Sequence, residues 1–326
     1  MTEPNIEPSQ TASSWDAYWQ GTGETGAYSN GGANHPALLT LWNEFFTLAR
    51  TQFSNPVMLD IASGNGAVIE RALNIFDGND IEIHCVDISQ AAITNIQSRF
   101  GSVTGLEADA GSIPLPDAKF DIVTSQFGVE YAGREAFHEA ARLLAAGGQL
   151  GLLAHSQAGS IHRECSINLE AITRLRNSGF LAGARDMFRA GFEAVRGADR
   201  KPYDEAAKRL APAVAEAEAI MQEMGSRVAD DTVVRLYNDV ARIHKEIQHY
   251  DPDEVLNWLE RMDAELATYS GRMSSMTQAA MDEATFESIC GELIGQHRLV
   301  IDQAGPLLGP DNEIPLAWVL VAHKES

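Results

Sequence analysis

The sequence predicts an α/β fold, a doubly wound and mostly parallel sheet of seven strands with an all-α insertion between the fifth strand and the last helix. Three observations predict it. Short apolar runs alternate with helical patterns from Pro56 to Ala154, strand signals then vanish from Ser156 to about residue 281, and two apolar runs return near the C-terminus.

Taken in order, Met1 to Ser14 is polar, contains two prolines and has no apolar period, so it is expected to be disordered. Trp15 to Pro36 sets Trp15, Tyr18, Trp19 and Tyr28 among glycines, a mixture that suits an ordering loop or lid. His35-Pro36 opens the helical pattern LLTLWNEFFTLAR, so residues 1–50 read as an N-terminal tail and helical lid. Strands follow at Val57 to Ile61, Ile81 to Val86, Val103 to Glu107, Phe120 to Ser125 and Gln149 to Ala154, with helices between them. The helix from Glu135 to Leu144 is expected to close at Ala145-Ala146-Gly147-Gly148, where glycine takes a left-handed C-cap.

Residues 159–281 read as the helical insertion, a lid or an interface. Val233, Tyr237, Val240, His244 and Ile247 share one face, and Val255, Trp258, Leu259, Met262 and Leu266 another. Asp251-Pro252-Asp253-Glu254 supplies a cap, a first-turn proline and an N3 glutamate. Phe180, Met187, Phe188 and Phe192 either form the core of this part or line an apolar acceptor pocket. A helix from Glu283 to Ile294 then leads to strands at Leu299 to Asp302 and Leu316 to Ala322, a hairpin that completes the sheet. The core is therefore 51–158 plus 282–326.

The net charge of -22 is spread over both halves and repels phosphate backbones, which argues against a nucleic-acid substrate. Its other reading is solubility alone. No apolar run reaches the roughly 18 residues of a membrane span, and the start is polar and acidic, so neither span nor signal peptide is expected. Cys85, Cys165 and Cys290 are scattered, with no CxxC spacing, which fits a reducing cytoplasm and predicts neither disulfide framework nor zinc site.

The most informative segment is VMLDIASGNGAVIERAL, Val57 to Leu73, a buried strand that runs through small residues into a helix. Such a loop lets a ligand approach the backbone, and the helix start offers free N–H groups. The next strand ends in Asp87, where a carboxylate can accept from both hydroxyls of a ribose. Nicotinamide enzymes use the same device but want G-x-G-x-x-G/A. From Gly64 that pattern meets Ile69 in the third place, and from Ala62 the first glycine is missing.

In order and spacing these residues resemble the class I S-adenosylmethionine-dependent methyltransferases, in particular the small-molecule branch that includes the ubiquinone-pathway enzymes. LDIASGNGAV is similar to the family's first motif, VDIS to its ribose-binding acid, ADAGSIPLPDAKFDIVTSQFGVEY to its adenine loop and fourth strand, and LLAAGGQLGLLAHS to its fifth strand. The resemblance implies a Rossmann-like fold and S-adenosyl-L-methionine as cofactor. It implies that Asp60, Ala62, Ser63, Gly64 and Gly66 surround the amino-acid end of that cofactor, and that Asp87 and Ile88 hold the ribose and adenine face. Asp109 and the Ala110 N–H would meet the adenine, and Gln126 and Phe127 the methionyl portion. Ala62 stands where the family usually has a glycine. Trp15, Tyr18, Trp19 and Tyr28 resemble the family's N-terminal lid, with simple anchoring of the terminus as the other reading.

Methyl transfer needs in-line alignment, and proximity of this kind contributes roughly 7–11 kcal/mol. An alcohol or ammonium acceptor also needs a base. At the carboxyl ends of the strands lie Glu130, Tyr131, His155 and His162. His155 is the first choice as base because it follows the fifth strand directly, with Tyr131 and Glu130 beside it. The chain lacks the [DN]PP[YF] and Pro-Cys signatures of nucleic-acid methylation, and His244 and His249 do not form an HExxH metal motif. The expected activity is methylation of a small molecule by a chain able to homodimerise through its insertion. A catalytically silent module that binds the cofactor is the alternative.

Overall fold

The computed structural model describes residues 15–16, 19, 35–77, 80–309 and 314–326. The expectations for Met1 to Ser14, Tyr18 and Tyr28 lie outside the described residues.

Strands β1 (Val57–Ile61), β2 (Glu82–Asp87), β3 (Thr104–Glu107), β4 (Phe120–Gln126), β5 (Leu144–Ala154), β6 (Leu299–Leu308) and β7 (Pro315–Lys324) form one sheet of order β3-β2-β1-β4-β5-β7-β6. The first five pair in parallel, and β7 runs antiparallel to both β5 and β6. This is a doubly wound, Rossmann-like α/β sheet.

Helix α1 (Pro36–Gln52) buries Leu38, Leu41, Trp42, Phe45, Phe46 and Ala49, an i, i+3/i+4 stripe. It approaches β5 at Gly151, where a Cβ would stand 3.1 Å from the rings of Phe45 and Trp42. The crossover helices are α2 (Ala67–Ile75), α3 (Gln90–Arg99) and α4 (Arg134–Leu143), and the sheet's other face is covered around Phe120, Phe137, Leu150 and Leu152.

Two boundaries differ from expectation. The Ala145–Gly148 segment does not cap α4; Leu144 is extended and fully buried, and the chain passes directly into β5. Gly147, at φ 77°, lies in the stretch where the pairing with β4 shifts register between Phe120 and Ile122. Gly148 is glycine because a Cβ there would meet the carbonyl oxygens of Ala145 and Asp121 at 2.9 Å. Small residues after a helix thus mark an irregular strand start here. Strand β6 also continues past Asp302 to Leu308 through a mostly exposed stretch that contains glycine and proline. As an edge strand it needs no continuous apolar pattern and tolerates Pro306.

The helical segment contains α5 (Ser160–Asn177), α6 (Phe180–Val195), α7 (Lys201–Met224), α8 (Thr232–Lys245) and α9 (Pro252–Ala279), and α10 (Glu283–His297) precedes β6. Residues 164–275 form a compact unit with its own core, in which Phe180, Met187, Phe188 and Phe192 are buried beside Leu210, Val233, Val240 and Leu259. Asp251 caps α9, its Oδ1 accepting from the N–H groups of Asp253 at 2.9 Å and Glu254 at 3.1 Å. His244 stacks on Tyr203. Among the described residues no helix is long and apolar enough to cross a membrane.

Candidate functional site

Strand order reverses between β1 and β4, and such a switch point leaves a crevice at the strands' carboxyl ends. A cavity of about 340 Å³ opens there. Ala62 and Gly64 line it from the loop after β1, Asp87 and Ile88 from the end of β2, and Ala108, Asp109 and Ala110 from beyond β3. Phe127, Gly128, Tyr131 and Ala132 line it from beyond β4, and Trp15 and Trp19 from the N-terminal segment.

The loop after β1 turns through three left-handed residues, Ala62 (φ 53°), Gly64 (φ 53°) and Gly66 (φ 81°). Glycine takes this conformation freely, whereas an alanine costs about 1 kcal/mol, so Ala62 carries local strain. Two backbone bonds fix the turn, Ser63 N–H to Val86 O at 3.2 Å and Gly66 N–H to Ser63 O at 2.8 Å. The Ser63 hydroxyl donates to the Asp60 carbonyl, and Gly66 begins α2 packed beside Phe100 and Ile96. Asp60 itself points away from the cavity, fully enclosed, with its Oδ1 accepting from the Thr124 hydroxyl at 2.7 Å. Burial pushes its pKa up to about 7, against the lowering effect of the Thr124 and Ser63 hydrogen bonds.

Asp87 is held by two backbone donors, Gly64 N–H on Oδ2 at 2.8 Å and Ser89 N–H on Oδ1 at 2.9 Å. The glycine loop and the acid of β2 are thereby one unit, and the carboxylate keeps lone pairs for further donors. Burial raises its pKa to about 6; the hydrogen bonds from Ser89 and Gly64 oppose this, and the nearby Asp16 charge adds to it. Asp109 closes the loop after β3, accepting from the Gly111 N–H at 2.8 Å.

Beyond β4, Phe127 is also left-handed, at φ 55°, and its ring packs at a tilt of 35° against His155, centroids 4.5 Å apart. Gln126 is turned the other way, its Oε1 accepting from Trp42 Nε1 at 2.6 Å, so it binds α1 and does not line the cavity. Glu130 and His155 form a buried hydrogen-bonded pair, Oε1 to Nδ1 at 2.5 Å, side chains 0% and 3% exposed. The same Glu130 oxygen accepts from the His155 backbone N–H at 3.0 Å, and its other oxygen has no partner among the described residues. Both lie behind the wall formed by Phe127 and Tyr131, so of the three candidate catalytic residues only Tyr131 faces the cavity.

Thus the cavity brings together Ala62, Gly64, Asp87, Ile88, Asp109, Ala110, Phe127, Tyr131 and Trp19. Asp60, Ser63, Gly66, Gln126, Glu130 and His155 sit behind its walls. Sequence reasoning missed Ala108, Gly128 and Ala132, whose small side chains carry no chemical signature, and it missed Asp16, whose partners lie more than 70 residues away. Among the described residues no group of three or more His, Cys, Asp or Glu is arranged to hold a metal ion.

Residues 58–148 match the family model described as "Methyltransferase domain". A ubiquinone/menaquinone biosynthesis C-methyltransferase of Ectopseudomonas mendocina is 32% identical over 129 residues, which are 37% of this chain and 50% of that protein. Its counterpart in Roseobacter denitrificans is 27% identical over 168 residues, 48% of this chain and 65% of that one. The chain spans about half the length of the first of these relatives. A candidate S-adenosyl-L-methionine-dependent methyltransferase from Methanococcus maripaludis, of solved structure, is 14% identical with a TM-score of 0.40, covering 100% of this chain and 98% of that one.

Proposed function

We propose that this chain, whose residues 58–148 match a methyltransferase domain, is a class I S-adenosylmethionine-dependent methyltransferase that transfers a methyl group to a small-molecule acceptor. The observation that carries the reading is the join between the Gly64 N–H and Asp87 on the rim of one cavity. It sets a backbone that a ligand can approach beside an acid that can accept from ribose hydroxyls.

The residues fit the cofactor. A cavity of about 340 Å³ lies within the range of about 300–1,000 Å³ usual for small-molecule sites. Its acid, Asp87, is already oriented by backbone donors, and Ile88 and Ala110 offer apolar faces to a base beside Asp109. When bound, S-adenosylmethionine supplies an activated methyl on a sulfonium, which leaves alignment and exclusion of water to the protein. Asp87 would hold the ribose, Asp109 and Ala110 the adenine, and Gly64 the amino-acid end. Asp60, Ser63 and Gly66 shape the loop from behind, as Gln126 does for the end of β4.

Tyr131 is the polar group placed to touch an acceptor, and the Glu130–His155 pair holds the turn that carries it. The acidic surface suits a small neutral or cationic acceptor better than a nucleic acid. Three buried free cysteines agree with a cytoplasmic setting. The unit 164–275 is assigned to acceptor selection or self-association, and sedimentation of chains altered at the exposed Ile167 and Val195 separates these roles.

The deciding experiment titrates the full chain with S-adenosylhomocysteine and with NADH by calorimetry, then offers a labelled methyl donor with a panel of small phenols, amines and quinols. Binding of the first compound alone and labelled product support the proposal. Absence of binding to S-adenosylhomocysteine by folded protein ends it.

A further inference from the structure

We infer that Asp16 is a positioning residue for the methyl donor, because its carboxylate, by capping α3, holds Trp15 and Trp19 in the wall of the cavity. The inference rests on the cofactor reading above. It begins from the unsatisfied donors at the start of every helix. Ser89 is the N-cap of α3, and its hydroxyl accepts from the Ala92 N–H at 3.2 Å, which leaves the Ala91 N–H free. Asp16 Oδ1 accepts from that N–H at 3.1 Å and from the Ser89 hydroxyl at 2.5 Å. The carboxylate also sits at the positive end of the helix dipole, where a negative charge is favoured.

A second bond continues the attachment along α3, from Asn95 Nδ2 to the Trp19 carbonyl at 2.8 Å. The two attachments decide where the aromatic rings lie. Trp19 is 6% exposed and lies against the glycine loop, so close that a Cβ on Gly64 would meet its ring at 2.6 Å. Trp15 stacks on Trp19 at 6.3 Å and meets Tyr131 edge-on at 5.5 Å. The two indoles therefore bridge the glycine-loop side of the cavity to its Tyr131 side, and Asp16 directly follows Trp15 in the chain.

Asp16 has an electrostatic signature that a purely steric anchor lacks. Its charge adds to the burial that raises the Asp87 pKa, so neutralising it lets Asp87 ionise at lower pH. The other ionisable groups around Asp87 are Asp60 on β1, Cys85 on β2 and Asp109 across the cavity, and they stay in place in this comparison.

The test is calorimetric titration of the full chain with S-adenosylhomocysteine from pH 5 to 8, together with tryptophan emission, for wild type, Asp16→Ala, Asp16→Asn and Asn95→Ala. Asp16→Ala is expected to bind about tenfold more weakly, the scale of a lost helix cap, with red-shifted emission as the indoles leave the wall. Asp16→Asn, whose carbonyl oxygen can still accept from Ala91, is expected to lose less affinity and to move the pH midpoint of binding downward. Asn95→Ala is expected to weaken binding without moving that midpoint. Wild-type affinity and unshifted emission in Asp16→Ala, with wild-type protein binding normally, overturn the role of Asp16 alone. Wild-type protein that fails to bind overturns the cofactor reading and this inference with it.

Discussion

Gly128 and Ala62 meet at the wall of the cavity so closely that a Cβ on Gly128 would stand 2.4 Å from the Cβ of Ala62. The same added atom would lie 3.1 Å from the Ala62 carbonyl and 3.2 Å from the Ser125 hydroxyl. Gly128→Ala is therefore expected to destabilise the protein by about 1–3 kcal/mol, the range for overpacking. Ala62→Gly removes the closest clash and relieves a left-handed alanine, so the double variant should recover part of the loss. Denaturant unfolding of the four proteins gives the coupling energy, expected at about 0.5 kcal/mol or more. Strict additivity would show that the two residues do not meet.

On the proposed function, Asp87 is expected to make cofactor affinity depend on pH. Its pKa stands at about 6 in the free protein, while ribose hydroxyls donate to the ionised carboxylate and so lower it in the complex. Binding is then weak at low pH, strengthens as pH rises through about 6 and levels off above 7. Between pH 5 and 7 the affinity for S-adenosylhomocysteine should rise about tenfold, with proton release on binding at the acid end. Asp87→Asn is expected to flatten this profile and to weaken binding at pH 7 by about 1–3 kcal/mol. A profile equally steep in Asp87→Asn would assign the titration to another group.

Glu130 and His155 carry a test of how the Tyr131 turn is held. Removing one partner of this buried hydrogen-bonded pair leaves the other unsatisfied, at a cost of about 1–3 kcal/mol. Glu130→Ala should show that loss in denaturant unfolding, whereas Glu130→Gln keeps an oxygen able to accept from the His155 backbone and ring N–H groups and should lose much less. Equal losses in the two variants would mean that the carboxylate charge, not the shape of the contact, is what matters.

The parts of this fold that sequence reasoning reached are those set by local pattern. Apolar runs mark β1, β2, β4 and β7, Asp87 ends its strand where the ribose acid was expected, and Asp251 caps α9 by the rule its spacing suggested. Ala145–Gly148 misled because small residues serve a helix stop and an irregular strand start equally well, and only the contact between Leu144 and Phe120 decides between them. The end of β6 was invisible because Gly305 and Pro306 read as a turn, and an exposed edge does not need apolar alternation. Within the cavity, the distinction between lining and supporting residues depends on side-chain direction. Asp60 is next to last in β1 and Asp87 last in β2, yet one turns toward Thr124 and the other toward the Gly64 N–H. The Asp16 cap and the Glu130–His155 pair join residues 75 and 25 positions apart, which no local pattern encodes.

Asp60 offers the sharpest pH signature in stability. Its pKa is pushed up to about 7 by complete burial, from an ordinary value near 4. The folded protein therefore keeps a proton that the unfolded chain releases at about pH 4, and the linkage has a definite direction. The stabilisation is fully present below about pH 4 and is lost as pH rises through about 7, by up to about 4 kcal/mol. Asp87 contributes a smaller loss of the same sign, ending near pH 6. Asp60→Asn retains an oxygen that can accept from the Thr124 hydroxyl and carries no ionisation, so its stability should fall less over the same interval. The difference in unfolding free energy, variant minus wild type, should grow steadily from pH 4.5 to 7.5. Parallel curves across that interval would show that the carboxylate is ionised in the folded protein throughout, compensated by a group other than Thr124 and Ser63.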